Sequence, residues 1–186
     1  MRRSAWIPFV LSLMAVLPMP ALAATHAAGG IGFRDSSAPL AVRWWLGGAQ
    51  RVAIDVGAGF SSQKVESGSD SKRLFDYAVD VGVPILAKSW EQAHLLLRPG
   101  ILVASEEAAR YNLQSGRITG SDRGSLVLLS LELEAEVFLV KNVSISAAHG
   151  IGVVNDKRLG QERPASFGSF GENFTSLGFH VYLFGE

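Results

Sequence analysis

From Leu74 to Ile85 the chain alternates strictly. Phe75, Tyr77, Val79, Val81, Val83 and Ile85 fall on one side, and Leu74, Asp76, Ala78, Asp80, Gly82 and Pro84 on the other. A run of apolar positions at a spacing of two cannot form a stripe on a helix, whose period is about 3.6 residues; it defines a strand with one apolar face. Val52–Phe60 repeats the pattern, with Val52, Ile54, Val56, Ala58 and Phe60 against Ala53, Asp55, Gly57 and Gly59. Leu126–Leu139 carries it furthest: Val127, Leu129, Leu131, Leu133, Ala135, Val137 and Leu139 face one way, and Ser130, Glu132, Glu134 and Glu136 the other. Weaker alternations cover Leu40–Leu46, Ala93–Val103, Val143–Val153 and Leu177–Phe184, and a glycine-crowded strand is predicted at about Ala28–Arg34. The chain therefore reads as eight strands, with a helical pattern only near Glu106–Arg110 and in the first segment.

The connections obey a second regularity. Those after the second, fourth and sixth strands are short: Gly47–Gln50, Ala87–Gln92 and Lys141-Asn142. Those after the third, fifth and seventh are long and polar: Ser61–Arg73, Ser105–Gly124 and Val154–Asn173. Only Asp35–Pro39 is brief on the long side. Tight turns at one rim and large loops at the other are the plan of an outer-membrane barrel, with the turns periplasmic and the loops external.

Met1–Ala23 has the grammar of a secretory signal peptide. Arg2 and Arg3 supply the positive start, Trp6–Leu17 the apolar stretch, and Ala21-Leu22-Ala23 a small-x-small cleavage site. The apolar stretch is short of the roughly 20 residues that span a bilayer. Two domains are thus expected: the signal peptide, 1–23, and a strand domain, 24–186. The 186 residues balance 17 Lys+Arg against 17 Asp+Glu, which excludes the basic face of a nucleic-acid binder. Removing Arg2 and Arg3 leaves carboxylates in excess by two. The complete lack of cysteine excludes disulfides, thiolate nucleophiles and Cys-ligated metals.

Which face turns inward decides the fold. A soluble barrel or sandwich buries its apolar faces. Here Phe75–Ile85 extends for ~36 Å at ~3.3 Å per residue. Tilted by ~40°, it rises ~27 Å, near the ~25 Å apolar band of an outer-membrane barrel. The opposite faces carry small residues punctuated by charges of both signs: Arg43 and Arg98 with Asp55, Asp76, Asp80, Glu132, Glu134 and Glu136. Small residues make room in a narrow interior, and buried charges must pair. Arg51 and His94, near the short turns, would temper the acidic excess. Aromatics gather at strand ends: Trp44, Trp45, Trp90 and Phe138 by the short turns, and Phe60, Phe75 and Tyr77 by the long loops. Two such groups are predicted to be interfacial girdles. The reading is an all-β, eight-stranded antiparallel up-and-down transmembrane β-barrel.

On this pattern, and on its C-terminus, the chain resembles the small outer-membrane β-barrel proteins, the group that includes the membrane domain of outer-membrane protein A. Ser176-Leu177-Gly178-Phe179-His180-Val181-Tyr182-Leu183-Phe184 is similar to that family's assembly signal, a polar residue and glycine followed by alternating hydrophobic or aromatic residues. It departs by adding Gly185-Glu186 after Phe184, and by placing Val181 and Leu183 where aromatics are usual. The resemblance implies residence in the outer membrane among lipid and lipopolysaccharide, and insertion by the outer-membrane assembly machinery.

Residues suited to chemistry are few. His26, His94, His149 and His180 lack metal-ligand spacing, so neither metal nor cofactor is expected. Gly57-Ala58-Gly59 and Gly150-Ile151-Gly152 lie in strands without the helix a phosphate loop needs. His149 falls on an apolar face, an odd place for an ionisable group in lipid, and could face lipid, the lumen or the rim. A lipid-modifying enzyme needs a hydroxyl beside such a histidine, and His149-Gly150-Ile151 supplies none. Eight strands leave an interior just wide enough for side chains, so free diffusion of solutes is not expected. The basic residues of the long loops, among them Arg110, Arg117, Arg123, Lys157, Arg158 and Arg163, suit lipopolysaccharide phosphates. The sequence thus predicts a non-enzymatic envelope or surface-interaction protein acting on an unidentified surface partner through its loops. The alternatives are a lipid A acyl hydrolase or acyltransferase and a periplasmic soluble barrel for an apolar ligand.

Overall fold

A computed structural model of the protein describes residues 29–34, 37–47, 50–157, 163–169 and 175–184. The expected signal peptide and its cleavage site lie outside the described residues. The strands are β1 (Gly29–Phe33), β2 (Leu40–Leu46), β3 (Val52–Ser67), β4 (Asp70–Gly82), β5 (Ile85–Ser89), β6 (Ala93–Tyr111), β7 (Ile118–Val140), β8 (Val143–Asp156), β9 (Arg163–Gly168) and β10 (Thr175–Phe184). The short stretch Glu106–Arg110 is strand within β6, paired with Gly120–Gly124, and the helical pattern there is overridden.

All neighbouring pairs are antiparallel, in the order β10-β1-β2-β3-β4-β6-β7-β8, and β10 pairs again with β8 from Thr175↔His149 to Val181↔Val143. The sheet closes on itself as a ring of eight strands. The two extra segments are interruptions of ring strands. Pro84, which has no N–H to give, separates β4 from β5; Ala53 N still reaches Pro84 O at 2.8 Å, and β5 resumes the ladder at Val52↔Ile85 and Ile85↔Leu97. β9 runs along β8 above the end of β10, with Gly152 opposite Gly168.

Followed once round the ring, the register returns to β8 about ten residues further along. With ~3.3 Å per residue and ~4.8 Å between strands, that stagger tilts the strands by about 40°. Side chains alternate cleanly between the two surfaces. In β2 the inward positions are Ala41, Arg43 and Trp45, and Leu40, Val42, Trp44 and Leu46 are exposed. In β8, Ser144, Ser146 and Ala148 point in while Ile145 and Ile151 are exposed. The outer surface of the ring is therefore apolar and its interior is largely polar.

The walls are uneven. Calling the end with the Lys141-Asn142 turn the lower one, β3–β4 and β6–β7 rise far above the rest at the upper end. β3 and β4 remain paired to Ser67↔Asp70, and β6 and β7 to Tyr111↔Ile118. The segments Ser61–Arg73 and Ser105–Gly124 are thus hairpins and not loops. Their tips are only Gly68-Ser69, where Gly68 adopts φ +61°, and 112–117, where Asn112 Oδ1 accepts from Gln114 N and Ser115 N. A two-residue turn that matches strand twist needs positive φ, which glycine supplies without strain.

Candidate functional site

The interior is built in layers. At its lower end Trp45, Leu96, Phe138 and Tyr182 pack with Ala53 as an aromatic floor. Phe138 sits 5.8 Å from the Tyr182 ring, and His94 packs edge-on against both Trp45 and Phe138. This corrects the girdle assignment. Trp45 and Phe138 are buried inside the ring, whereas Trp44, Trp90, Phe60, Phe75 and Tyr77 are exposed on its outside. Closeness to a turn suggested an interface for all seven, but strand parity places Trp45 beside inward Arg43, and Phe138 beside inward Glu136.

Above the floor lies a buried ionic layer. Arg43, fully buried, donates Nε to Asp55 Oδ1 at 2.8 Å, reaches Glu134 Oε1 at 2.8 Å and Glu136 Oε2 at 3.1 Å. Arg98, also fully buried, bonds Asp55 Oδ2 at 3.1 Å and Asp80 Oδ2 at 2.5 Å, with Glu132 Oε1 at 3.5 Å. A Cβ at Gly82 would overlap the Arg98 guanidinium, and one at Gly100 would lie 2.6 Å from its Nη1, so both glycines make the space that Arg98 fills. Arg34 is the third cation: its Nε is 3.2 Å from Asp80 and its Nη1 3.0 Å from Glu134, and Nη2 binds Glu132. Glu136 is further satisfied by Ser144 Oγ at 2.5 Å and Tyr182 OH at 2.6 Å, with His180 Nδ1 at 3.8 Å. Each charge of the layer meets opposite charges, and Glu136 and Glu132 also accept from hydroxyls, the condition under which burial of ions is tolerated.

Of the eight charges expected here, seven meet: Arg43, Asp55, Asp80, Arg98, Glu132, Glu134 and Glu136. Asp76 does not join them. It lies higher, accepting Ser61 Oγ at 2.9 Å and Glu107 N at 2.8 Å. Arg34 was missed as a member. It ends the glycine-crowded first strand, where no alternation marks its facing, and the unbalanced carboxylates were the signal for another cation.

Between the ionic layer and the upper mouth lies a vestibule of about 520 Å³. Its inner wall is apolar, formed by Ala78, Leu102, Ala104 and Leu126, and Ser37 and Pro39 close one side. The Ser37–Pro39 segment leans into the ring: Ala38 is fully buried against Gly57, and a Cβ on Gly59 would strike Ser37 O. Asp76 and Glu107 stand on the rim. They splice β4 to β6 where the ladder stops at Tyr77↔Ser105, since Glu107 N donates to Asp76 and Phe75 N to Glu107 Oε2.

The raised hairpins are bolted together through polar contacts. Arg117 grips Asp70 through Nε at 2.9 Å and Nη2 at 3.1 Å, and Ser67 Oγ donates to Gly116 O at 2.6 Å. Lys72 Nζ donates to Ser121 Oγ at 2.6 Å, and Arg110 pairs with Asp122. The Arg117 fork holds the Asp70 carboxyl below the usual carboxylate range, and the Ser121 hydroxyl does the same for Glu107. At the β6–β7 tip Leu113 is completely exposed.

His149 is on the outer surface, opposite Leu133 and Thr175, with Nδ1 2.8 Å from Thr175 Oγ1. The hydroxyl that His149-Gly150-Ile151 lacks is supplied by the neighbouring strand. Among the described residues no group of His, Asp and Glu is arranged to hold a metal ion. Comparison with protein-family models, with characterised proteins and with solved structures finds no match to this chain.

Proposed function

We propose that the chain is a non-enzymatic outer-membrane β-barrel, reached through a cleaved signal peptide, that serves the envelope or binds a surface partner through its raised hairpins. The observation that carries this reading is the inversion of the ring: Val42, Val56, Val81, Ile101, Leu129 and Ile145 are exposed on the outside while Arg43, Arg98, Glu134 and Glu136 are fully buried. In water that outer surface would be a large exposed apolar patch, which monomeric soluble proteins avoid. Against hydrocarbon it is the favourable arrangement, and a closed ring leaves no strand edge unpaired there. Exposed Trp44 and Trp90 toward one end, with Phe60, Phe75 and Tyr77 toward the other, suit two headgroup levels. The aromatic floor and the ionic layer fill the ring, so the hairpins and the vestibule are what remains for recognition. Lipid, lipopolysaccharide and the outer-membrane assembly machinery are the partners this reading entails.

Membrane fractionation with gel mobility before and after heating tests it. Recovery with the outer membrane and a heat-dependent mobility shift support the reading. A protein that stays in solution without detergent, and shows no shift, refutes it. The His149–Thr175 contact favours one competing reading, a lipid-modifying enzyme, because it sets an imidazole beside a hydroxyl on the outer surface. His149→Ala followed by mass spectrometry of lipid A separates the two: an unchanged lipid profile is expected, and a lost modification would establish the enzyme.

A further inference from the structure

Asp76, Glu106 and Glu107 line the vestibule, and Asp76 and Glu107 stand in unlike circumstances. Glu107 has Lys72 Nζ at 3.9 Å and Arg123 Nη2 at 3.7 Å, besides the Ser121 hydroxyl. Asp76 accepts only neutral donors, Ser61 Oγ and Glu107 N, and among the described residues no cation stands within ion-pair distance of it. It is half-buried, where a carboxylate is less well solvated than in open water and a paired cation counts for more. Beside Asp76, on the same wall of the cavity formed by β4, β6 and β7, lie Ala78, Leu102, Ala104 and Leu126, with no charge among them. A volume of about 520 Å³ is that of a small-molecule site. A few fixed polar groups bordering an apolar wall is also how such sites orient their ligands.

We propose that the vestibule binds a small amphiphilic cation, its ammonium group on Asp76 and its apolar body against Leu102 and Leu126. The choice of charge follows from the acidic rim, where Asp76 accepts only neutral donors among the described residues. The choice of an apolar body follows from the wall beside it. The depth is limited by Ala38 and the ionic layer beneath it, so the ligand enters from the upper mouth and stops there. The site requires only the ring and its rim, and does not rest on what the outer surface meets.

Benzylammonium, benzyl alcohol and benzoate are suitable probes, titrated into the full folded chain in a nonionic detergent and followed by amide chemical shifts. Benzylammonium is expected to shift Ala78, Leu102 and Ala104, and to bind about tenfold more tightly than benzyl alcohol, the scale of a hydrogen bond to a charged partner. Benzoate is expected not to bind. Asp76→Asn keeps a carbonyl acceptor for the splice to β6 and is expected to reduce benzylammonium to the affinity of benzyl alcohol. Ala104→Leu, which leaves Asp76 intact and fills the cavity, is expected to abolish both. Equal affinity of wild type for the ammonium and the alcohol overturns the proposal. So does an undiminished preference in Asp76→Asn, binding undiminished in Ala104→Leu, or shifts confined to residues outside the vestibule.

Discussion

Replacing Arg43 by Met tests whether the ionic layer holds the ring together. The side chain is fully buried and is shared by Asp55, Glu134 and Glu136 at 2.8 to 3.1 Å. Met matches much of its length but brings no charge, so three carboxylates lose their common partner. The layer then opposes the five carboxylates Asp55, Asp80, Glu132, Glu134 and Glu136 with Arg34 and Arg98 alone. Removing one member of a buried ion pair costs about 3–5 kcal/mol, because an uncompensated charge stays behind. An exposed pair costs only ~0–1 kcal/mol. Urea unfolding in a nonionic detergent, read by tryptophan fluorescence and gel mobility, measures the difference. The double variant Arg43→Met/Glu134→Gln is expected to recover part of the loss, roughly 1–3 kcal/mol, as coupled neighbours do. Glu134 also retains Arg34 at 3.0 Å, so recovery stays incomplete. A loss below about 1 kcal/mol for Arg43→Met, the figure of a solvated pair, would refute the view that these charges are structural.

Leu133→Arg places a charge on the outer surface midway between Leu126 and Val140 of β7; in phospholipid bilayers it is expected to cost ~2–4 kcal/mol, and no loss of stability there would contradict a lipid-facing position. Phe138→Ala is expected to destabilise by about 3–5 kcal/mol through the cavity it opens in the floor; Trp44→Ala, on the outside, is expected to cost less than half of that, and the reverse order in urea unfolding would overturn the inside–outside assignment of the two aromatics. The Asp70–Arg117 clamp depresses the Asp70 carboxyl, so its contribution is fully present above the unfolded Asp value of about 3.9 and is lost as pH falls through the lower folded value. The protection of the Ser67 and Asp70 amides, taken relative to the intrinsic exchange rate at each pH, is expected to fall below about pH 4 in wild type and to lose that dependence in Asp70→Asn; a wild-type protection constant down to pH 2 argues against the clamp.

Much of the ring was legible because its walls use apolar alternation, and each strand's parity follows from a few residues. Glu132, Glu134 and Glu136 point inward because Leu131, Leu133 and Val137 do not. Legibility ended where apolar alternation ended. Beyond Phe60 and Ser105 the strands continue, but their pairing is held by backbone ladders and by polar links such as Arg117–Asp70 and Lys72–Ser121, which leave no hydrophobic period to detect. The turn signals Gly68-Ser69 and Asn112 were present and pointed to hairpins. Trp45 and Phe138 differ for another reason: closeness to a turn points to an interface, but parity is the stricter constraint because a strand has only two faces, and both fall on the inner one. The vestibule leaves no mark in the sequence, since Asp76 and Leu102 meet through the pairing of β4 with β6, and Ser37–Pro39 joins them only by leaning into the ring.

The order of the layers has a consequence for where recognition can occur. Solute crossing from the upper mouth would have to pass Ala38, then the layer in which Arg34, Arg43 and Arg98 are interlocked with five carboxylates, and then the floor of Trp45, Leu96, Phe138 and Tyr182. Moving any one arginine aside strands several carboxylates at once, so the layer resists opening one contact at a time. The floor excludes ions by being apolar, and the ionic layer excludes apolar solutes by being charged. An ion meets the apolar floor and an apolar solute meets the ionic layer, so the two barriers act in series. On the function proposed above, recognition falls above Ala38, in the vestibule and the clamped hairpins, where Asp76 stands on β4 and Leu113 at the exposed tip between β6 and β7.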